Sequence, residues 1–324
     1  MPAPELSRAD VAAFLAGRHR EAVEDLEPLG GGFWSAAFAY RAGGRELVVR
    51  FGADAAWFEA DRRALAHAGP DLPVPEVVEV GSALGGAYAI SVRHHGGYLE
   101  DVRPDQAAAA GPMLGRLLGA LRAVPAPAGA PVDWHAAVPV PGLTWREWLA
   151  DGLVDDPSRP VHGWRARLED DPAIARLYRA GGARVRGLLD ACPERRDLVH
   201  GDLLHANVLV SADASRVTAV FSWKCSVRGD FLYDTAWCSF WSAWYPGIAA
   251  VEPWQLTLTG PGSAADLEAP GDPGALADAG ARHHCYQLHI GLVHLGWSVW
   301  VGDEAALGAV ARHLETVLEA GAGL

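Results

Sequence analysis

Lysine is nearly missing from this chain: Lys224 is the only one in 324 residues. Any other fixed positive charge that a site needs must therefore come from arginine. Cysteine is sparse too, with Cys192, Cys225, Cys238 and Cys285 and no C-x-x-C or zinc-type spacing. That excludes a disulfide framework and points to free thiols in a reducing cytoplasm. No run of about 18 or more apolar residues is long enough to span a bilayer. The opening MPAPELSRAD lacks the basic-then-apolar pattern of a secretory signal. Basic charge is in deficit overall, with a formal net charge of −13. Nucleic acid and anionic membrane are thereby disfavoured as main partners, and a cationic small molecule is mildly favoured.

What is present is ordinary for a soluble globular protein: 50% hydrophobic and 21% charged residues. The informative stretch is Leu198–Asp234. Leu198-Val199 runs into His200-Gly201-Asp202, and Asn207 follows five residues after Asp202. The apolar run Val208–Val210, the polar turn Ala212–Ser215 and the β-rich Val217–Phe221 read as a hairpin. A carboxylate and an amide are thus held at one mouth of a short ribbon. The pattern His-x-Asp-x-x-x-x-Asn suits phosphoryl transfer, because an Asp can orient an attacking hydroxyl and take its proton while an Asn oxygen can bind a metal ion. His200 reads as loop scaffold.

Upstream, Ser7–Asp10 opens a helix in capping-box style, with Val11, Phe14 and Leu15 as its apolar stripe. Leu29–Ser35 contains Gly30, Gly31 and Gly32 before the alternating Ala36–Tyr40. Such a turn between strands can let backbone N–H groups approach phosphates, though a plain hairpin turn has the same sequence. Glu46–Phe51 is a strand carrying Arg50, and Ala55–Ala68 a helix carrying Asp61. Val77–Val80 and Ala87–Val92 are further strands, completing a small antiparallel sheet. From Pro104 the pattern becomes helical, which places a boundary near residue 96. Val124–Pro141 and Gly260–Gly274 are Pro/Gly-rich loops. Trp145–Trp148, Ile174–Leu189, the aromatic stretch from Trp237, Ala275–Val301 and Glu304–Ala320 read as helices. The histidine pair His94-His95 and the histidines of the 275–301 helix lack metal-ligand spacing.

The Leu198–Asp234 stretch resembles the catalytic loop of the aminoglycoside phosphotransferases, a kinase-like family. The likeness extends from Pro4-Glu5-Leu6 through Leu72–Val77 to the C-terminal helices. It implies an α+β, protein-kinase-like two-lobe fold, with a small antiparallel-sheet N-lobe (residues 1–95) and a mainly helical C-lobe (residues 96–324). It further implies an ATP- or GTP-dependent O-phosphotransferase, needing Mg²⁺ and acting in the cytoplasm on a small hydroxylated molecule such as an aminoglycoside antibiotic. By the same resemblance Asp202, His200 and Asn207 are catalytic. Gly30, Gly31, Gly32, Ser35, Arg50, Asp61, Ser91 and Val92 hold the nucleotide, with Asp61 paired to Arg50 and residues 91–95 as a hinge for the base. Asp202, Asp230, Asp234 and Trp237 lie on the substrate side, Asp230 and Asp234 also supporting the loop.

One position departs from the family pattern. Where the family has a hydrophobic-Asp-Trp triplet whose Asp holds the metal, this chain has Phe221-Ser222-Trp223. Asn207 and Ser222 are then the metal ligands, one of them an uncharged replacement. Three readings stay open: a kinase that recruits another carboxylate (Asp230 or Asp234) or works slowly, a pseudokinase that binds nucleotide or ligand, and a change introduced at 222. A kinase of Ser/Thr in a natural-product peptide is a further alternative, which leaves a protein partner open.

Overall fold

A computed structural model describes residues 3–126, 130, 132–133, 143–259 and 274–321. The greater part of the two loops expected at Val124–Pro141 and Gly260–Gly274 falls outside them. By chain contacts the described residues form two compact units, 3–101 with 202–226, and 102–126, 130, 132–133, 143–201, 227–259 and 274–321.

The first unit is built on a five-stranded antiparallel sheet. Its strands are β1 (Glu24–Gly32), β2 (Ser35–Ala42), β3 (Arg45–Gly52), β4 (Val77–Ala83) and β5 (Gly86–Val92), in the spatial order β1-β2-β3-β5-β4. Helix α1 (Arg8–Arg18) begins at Ser7, whose hydroxyl accepts the Asp10 N–H while the Asp10 carboxylate accepts the Ser7 N–H. This is the expected capping box. Val11, Leu15, Phe38, Leu47, Val49, Phe51 and Tyr88 form one apolar core. Strand alternation sends Leu47, Val49 and Phe51 to that face and Arg50 to the other. There Phe58 of α2 (Ala55–Ala64) packs with Val77, Ala87 and Ala89. Arg50 is opposite Ala37 on β2 and Ala89 on β5, and these small neighbours leave room for a long side chain.

The hairpin of β8 (Val208–Val210) and β9 (Val217–Val220) groups with this sheet unit. The reason is local bonding. β6 (Gly97–Tyr98) pairs with β8, the Val220 N–H donates to the Pro73 carbonyl (2.7 Å), and the Trp223 N–H donates to Asp61 Oδ1 (2.7 Å). At Gly96 a Cβ would come within 2.5 Å of the Val210 carbonyl oxygen, so only glycine lets the chain pass here.

The second unit is helical. Its longest helix is α10 (Ala279–Val301), numbered after α3 (Ala107–Ala123), α4 (Trp145–Asp151), α5 (Trp164–Glu169), α6 (Pro172–Leu188), α7 (Leu232–Trp241), α8 (Pro246–Val251) and α9 (Pro253–Thr259). No residue of α10 is exposed, as befits a core helix, and it packs against α5, α6, α7 and α11 (Glu304–Ala320). A two-stranded ladder joins β7 (Asp197–Val199) to β10 (Val227–Gly229). The aromatic stretch stops being helical at Trp241 and restarts at Pro246, because proline opens a helix more readily than it continues one. No helix among the described residues is long and apolar enough to cross a membrane. Cys192, Cys238 and Cys285 are buried free thiols, whereas Cys225 is exposed.

Candidate active site

Asp202 and Asn207 come from one loop that enters β8. Asn207 Nδ2 donates to the backbone carbonyls of Asp202 and Leu204, both at 2.9 Å. Both amide protons are thereby spent, which fixes the amide orientation and leaves Oδ1 as its acceptor. The Phe221 N–H donates to the Asn207 carbonyl (3.0 Å), so Ser222 follows directly on the same ribbon. The loop turns sharply: His205 and Ala206 both have left-handed backbone, at φ 62 and 64.

Two residues that sequence reasoning missed hold this turn. His205 Nδ1 lies 2.8 Å from Asp202 Oδ1 and fixes the carboxylate's orientation. Its signal was a histidine three residues beyond Asp202, at a spacing that carries no helical meaning in a loop. The Ala206 N–H donates to Glu100 Oε1. Burial pushes the Glu100 carboxyl above its usual range, the bond from Ala206 pulling the other way. Glu100 lies 106 residues away in sequence, and no local pattern marks it.

The expected Arg50–Asp61 pair forms. Asp61 is buried, and its second oxygen takes the Trp223 N–H, so one carboxylate fastens α2 to both β3 and the Ser222 turn. The Arg50 guanidinium lies 5.2 Å from the Phe58 ring centre. Gly30, Gly31 and Gly32 end β1 rather than forming an open loop. Gly32 pairs with Ser35 around the two-residue turn Phe33-Trp34, with an irregularity between Leu29 and Gly32. Ser91 and Val92 are sheet residues: Ser91 is buried, and the Val92 N–H is spent on the Glu76 carbonyl (2.9 Å). His94 Nδ1 lies 2.7 Å from the Thr218 carbonyl oxygen and pins the segment that follows.

Ser222 has left-handed backbone at φ 69, ψ 52, and its side chain makes no capping bond to the short 3₁₀ turn it precedes. As a divalent-cation site this donor set is poor. Hard cations favour anionic oxygens; Asn207 Oδ1 and Ser222 Oγ are neutral, both Asp61 oxygens are engaged, and Asp202 is paired with His205. Among the described residues no three His, Cys, Asp or Glu side chains are grouped to hold a metal. Besides Arg50, a second cation is present in Lys224. Its Nζ lies 4.3 Å from the Trp34 ring centre and 5.2 Å from that of Trp57. Burial lowers its pKa, opposed by the charges of Asp202 and Asp61.

In the helical unit the three residues expected on the substrate side all have partners within the fold. Asp230 is fully buried and takes a two-pronged bond from Arg282 (Nε 2.8 Å, Nη2 2.7 Å), one from Tyr286 Oη (2.6 Å) and one from the Leu232 N–H (3.1 Å). Nothing is left over for a substrate or a metal. Asp234 spends its two oxygens on the successive N–H groups of His200 and Gly201, both at 2.8 Å. Gly201 has φ 74, a conformation in which glycine presents its N–H beside that of His200 without strain. Asp234 therefore shapes the chain just ahead of Asp202. Trp237 is 6% exposed and packed against Trp241 and His294. His200 is fully buried, as befits scaffold.

The chain is similar to known proteins. The model of the APH phosphotransferase enzyme family matches residues 25–267. The hygromycin-B 4-O-kinase of Escherichia coli is 30% identical across the whole chain and 89% of its own length. A thermostable mutant of the aminoglycoside phosphotransferase APH(4)-Ia, solved in ternary complex with AMP-PNP and hygromycin B, matches with a TM-score of 0.78 at 27% identity, covering 97% of this chain and 100% of that one. The GDP complex of aminoglycoside 2'-phosphotransferase-IIIa has a TM-score of 0.66 at 15% identity over 97% of this chain and 99% of that one, a likeness of fold. The α+β architecture is therefore the kinase-like one of these enzymes. With three quarters of its length inside the family match, the chain belongs to the APH phosphotransferase enzyme family.

Proposed function

We propose that this phosphotransferase moves the terminal phosphoryl group of a nucleoside triphosphate to a hydroxyl of an aminoglycoside. One observation carries the reading: Asp202, oriented by His205, shares a loop with Asn207 in the unit that also holds the Arg50–Asp61 pair. In this reading the sheet unit handles the nucleotide. Gly30–Gly32 and Ser35 cover the phosphates, and Arg50, held by Asp61, pairs with them. The base meets the chain in the 91–95 segment, where the Val92 N–H is already spent on the Glu76 carbonyl. Asp202 orients the acceptor hydroxyl and accepts its proton, with Asp234 and His200 setting the approach to the loop. Similarity to the hygromycin-B 4-O-kinase makes hygromycin B the first acceptor to try.

The test is release of nucleoside diphosphate from ATP and from GTP over a panel of aminoglycosides beginning with hygromycin B, with mass spectrometry of the product. Asp202→Asn should lower the transfer rate by roughly 10²–10⁴ while the protein stays folded. A folded wild type that phosphorylates no member of the panel would sink the aminoglycoside reading. The uncharged Ser222 favours a second reading, a nucleotide-binding protein without turnover, and that same result would support it if nucleotide still bound.

A further inference from the structure

Lys224 is not placed as a surface lysine would be. An exposed lysine extends its ammonium into water, where hydration is strong. Here the only ammonium side chain of the protein is folded back between two indoles, Trp34 and Trp57, whose rings meet edge to face at 5.3 Å. Trp34 belongs to the two-residue turn at the tip of the glycine hairpin, and Trp57 lies on α2 one turn before Asp61. The neighbouring residue, Trp223, is tied by its N–H to Asp61. The ammonium thus rests on three anchored elements, and the carboxylates of Asp202 and Asp61 both act on it. Beside it lies a donor set that suits a divalent cation poorly, with a neutral amide at Asn207 and a hydroxyl at Ser222. A site for a polyanion needs positive charge, and this one carries it as Lys224 together with Arg50.

We propose that Lys224 is the phosphate-neutralising cation of this site, pairing with the β- and γ-phosphate oxygens of the bound nucleotide, so that binding and transfer depend little on a divalent cation held by carboxylates. The inference rests on the phosphotransferase reading above. In the step it serves, the acceptor oxygen forms a bond to the γ-phosphorus and the bond from that phosphorus to the bridging oxygen breaks. The bridging electron pair leaves with the nucleoside diphosphate, and the hydroxyl proton passes to the Asp202 carboxylate. Lys224 faces the negative charge that grows on the leaving diphosphate, and the indoles hold it there beforehand, so little reorganisation is needed.

The experiment is calorimetric binding of AMP-PNP and of adenosine, each in Mg²⁺ and in excess chelator, to the wild type, Lys224→Met, Lys224→Arg and Ser222→Asp, with melting curves to confirm folding. The wild type should bind AMP-PNP in chelator within about threefold of its affinity in Mg²⁺. Lys224→Met should weaken AMP-PNP by roughly tenfold or more, the loss of a charge-assisted contact, while adenosine changes less than about twofold. Lys224→Arg should recover most of that loss, which a packing role alone would not. Ser222→Asp, by adding a carboxylate, should bring in Mg²⁺ dependence. A wild type that binds AMP-PNP only with Mg²⁺, joined by an unaltered Lys224→Met, overturns the inference and leaves the phosphotransferase reading standing. Failure of the folded wild type to bind AMP-PNP under either condition overturns both.

Discussion

Two aspartate–arginine pairs divide the labour in this protein, and they are built differently. Asp230 and Arg282 are both completely buried, joined by two parallel bonds, with Tyr286 and a backbone N–H filling the remaining acceptor positions. The chain around Asp230, Val227–Asp234, contains no residue of left-handed backbone, and beside Arg282 only the helix-capping Asp278 has one, at φ 54. Asp61 and Arg50 keep partial access to water on the arginine side, with side chains 4% and 14% exposed. The nearby chain is strained, with non-glycine residues at positive φ at His205, Ala206 and Ser222. A saturated pair can only hold the fold; a pair with one accessible guanidinium and strained neighbours can still take a ligand. Strain of this kind persists only where surrounding bonds over-determine it, here those from Glu100 to Ala206 and from Asp61 to Trp223.

Acid should unpick the saturated region most strongly. His283 and His289 lie on α10 in the unit of Asp230, and burial pulls both down to about 3 from the usual 6.5. They are neutral in the folded protein. As pH falls below about 6.5 the unfolded chain binds protons that the folded chain refuses, so stability is complete above that value and drains away toward pH 3, by several kcal/mol at order of magnitude. Urea titrations followed by tryptophan fluorescence should show the midpoint falling over that window, and His289→Gln should flatten the slope. A midpoint constant from pH 7 to 4 would show that these imidazoles reach water.

Next in size is Asp230→Ala. It strands the Arg282 guanidinium with no counter-charge inside the core and should cost about 3–5 kcal/mol of unfolding free energy, in the range for breaking one partner of a buried pair. The matching change in the other pair, Asp61→Asn, should cost less, about 1–2 kcal/mol, because Oδ1 can still accept the Trp223 N–H and Arg50 can turn to water. Its larger effect should fall on nucleotide binding, since Arg50 loses its anchor. If denaturant melts gave Asp61→Asn the greater loss of stability, the contrast drawn between the two pairs would be reversed.

Much of the Arg50–Asp61 pair could be read from sequence and almost none of the Asp230–Arg282 pair. Arg50 and Asp61 are marked by their positions in the kinase-like resemblance, and Asp202 and Asn207 by a spacing that suits phosphoryl transfer. The Asp230 carboxylate was visible too, but its meaning was not. Arg282 lies 52 residues on in a helix whose apolar character gives no hint that one arginine turns inward. Whether a carboxylate is saturated depends on partners brought by tertiary packing, and sequence offers only the donor types. The same holds for Glu100 and for Trp237, whose indole could serve as a wall or as core, with core favoured. The glycine segment misled in a smaller way: glycines suggest an open turn, yet the pairing of Gly32 with Ser35 extends β1 through them.

The smallest effect tests the strain itself. A left-handed backbone costs an ordinary L-residue about 1–2 kcal/mol. Ser222 stands at φ 69 without a capping bond to repay that cost. Glycine adopts this conformation freely but loses more freedom on folding, about 0.5–1 kcal/mol. The balance predicts that Ser222→Gly raises unfolding free energy by roughly 0.5 kcal/mol. The control is Ala236→Gly inside α7, a right-handed position in the relaxed region, where the same glycine should lower stability by about 1 kcal/mol. Opposite signs in chemical denaturation would establish that the turn at Ser222 stores backbone strain that α7 does not. A loss of stability at both positions would instead mean that the Ser222 hydroxyl repays its backbone through bonding, and the turn would then be held by that side chain rather than by Asp61 alone.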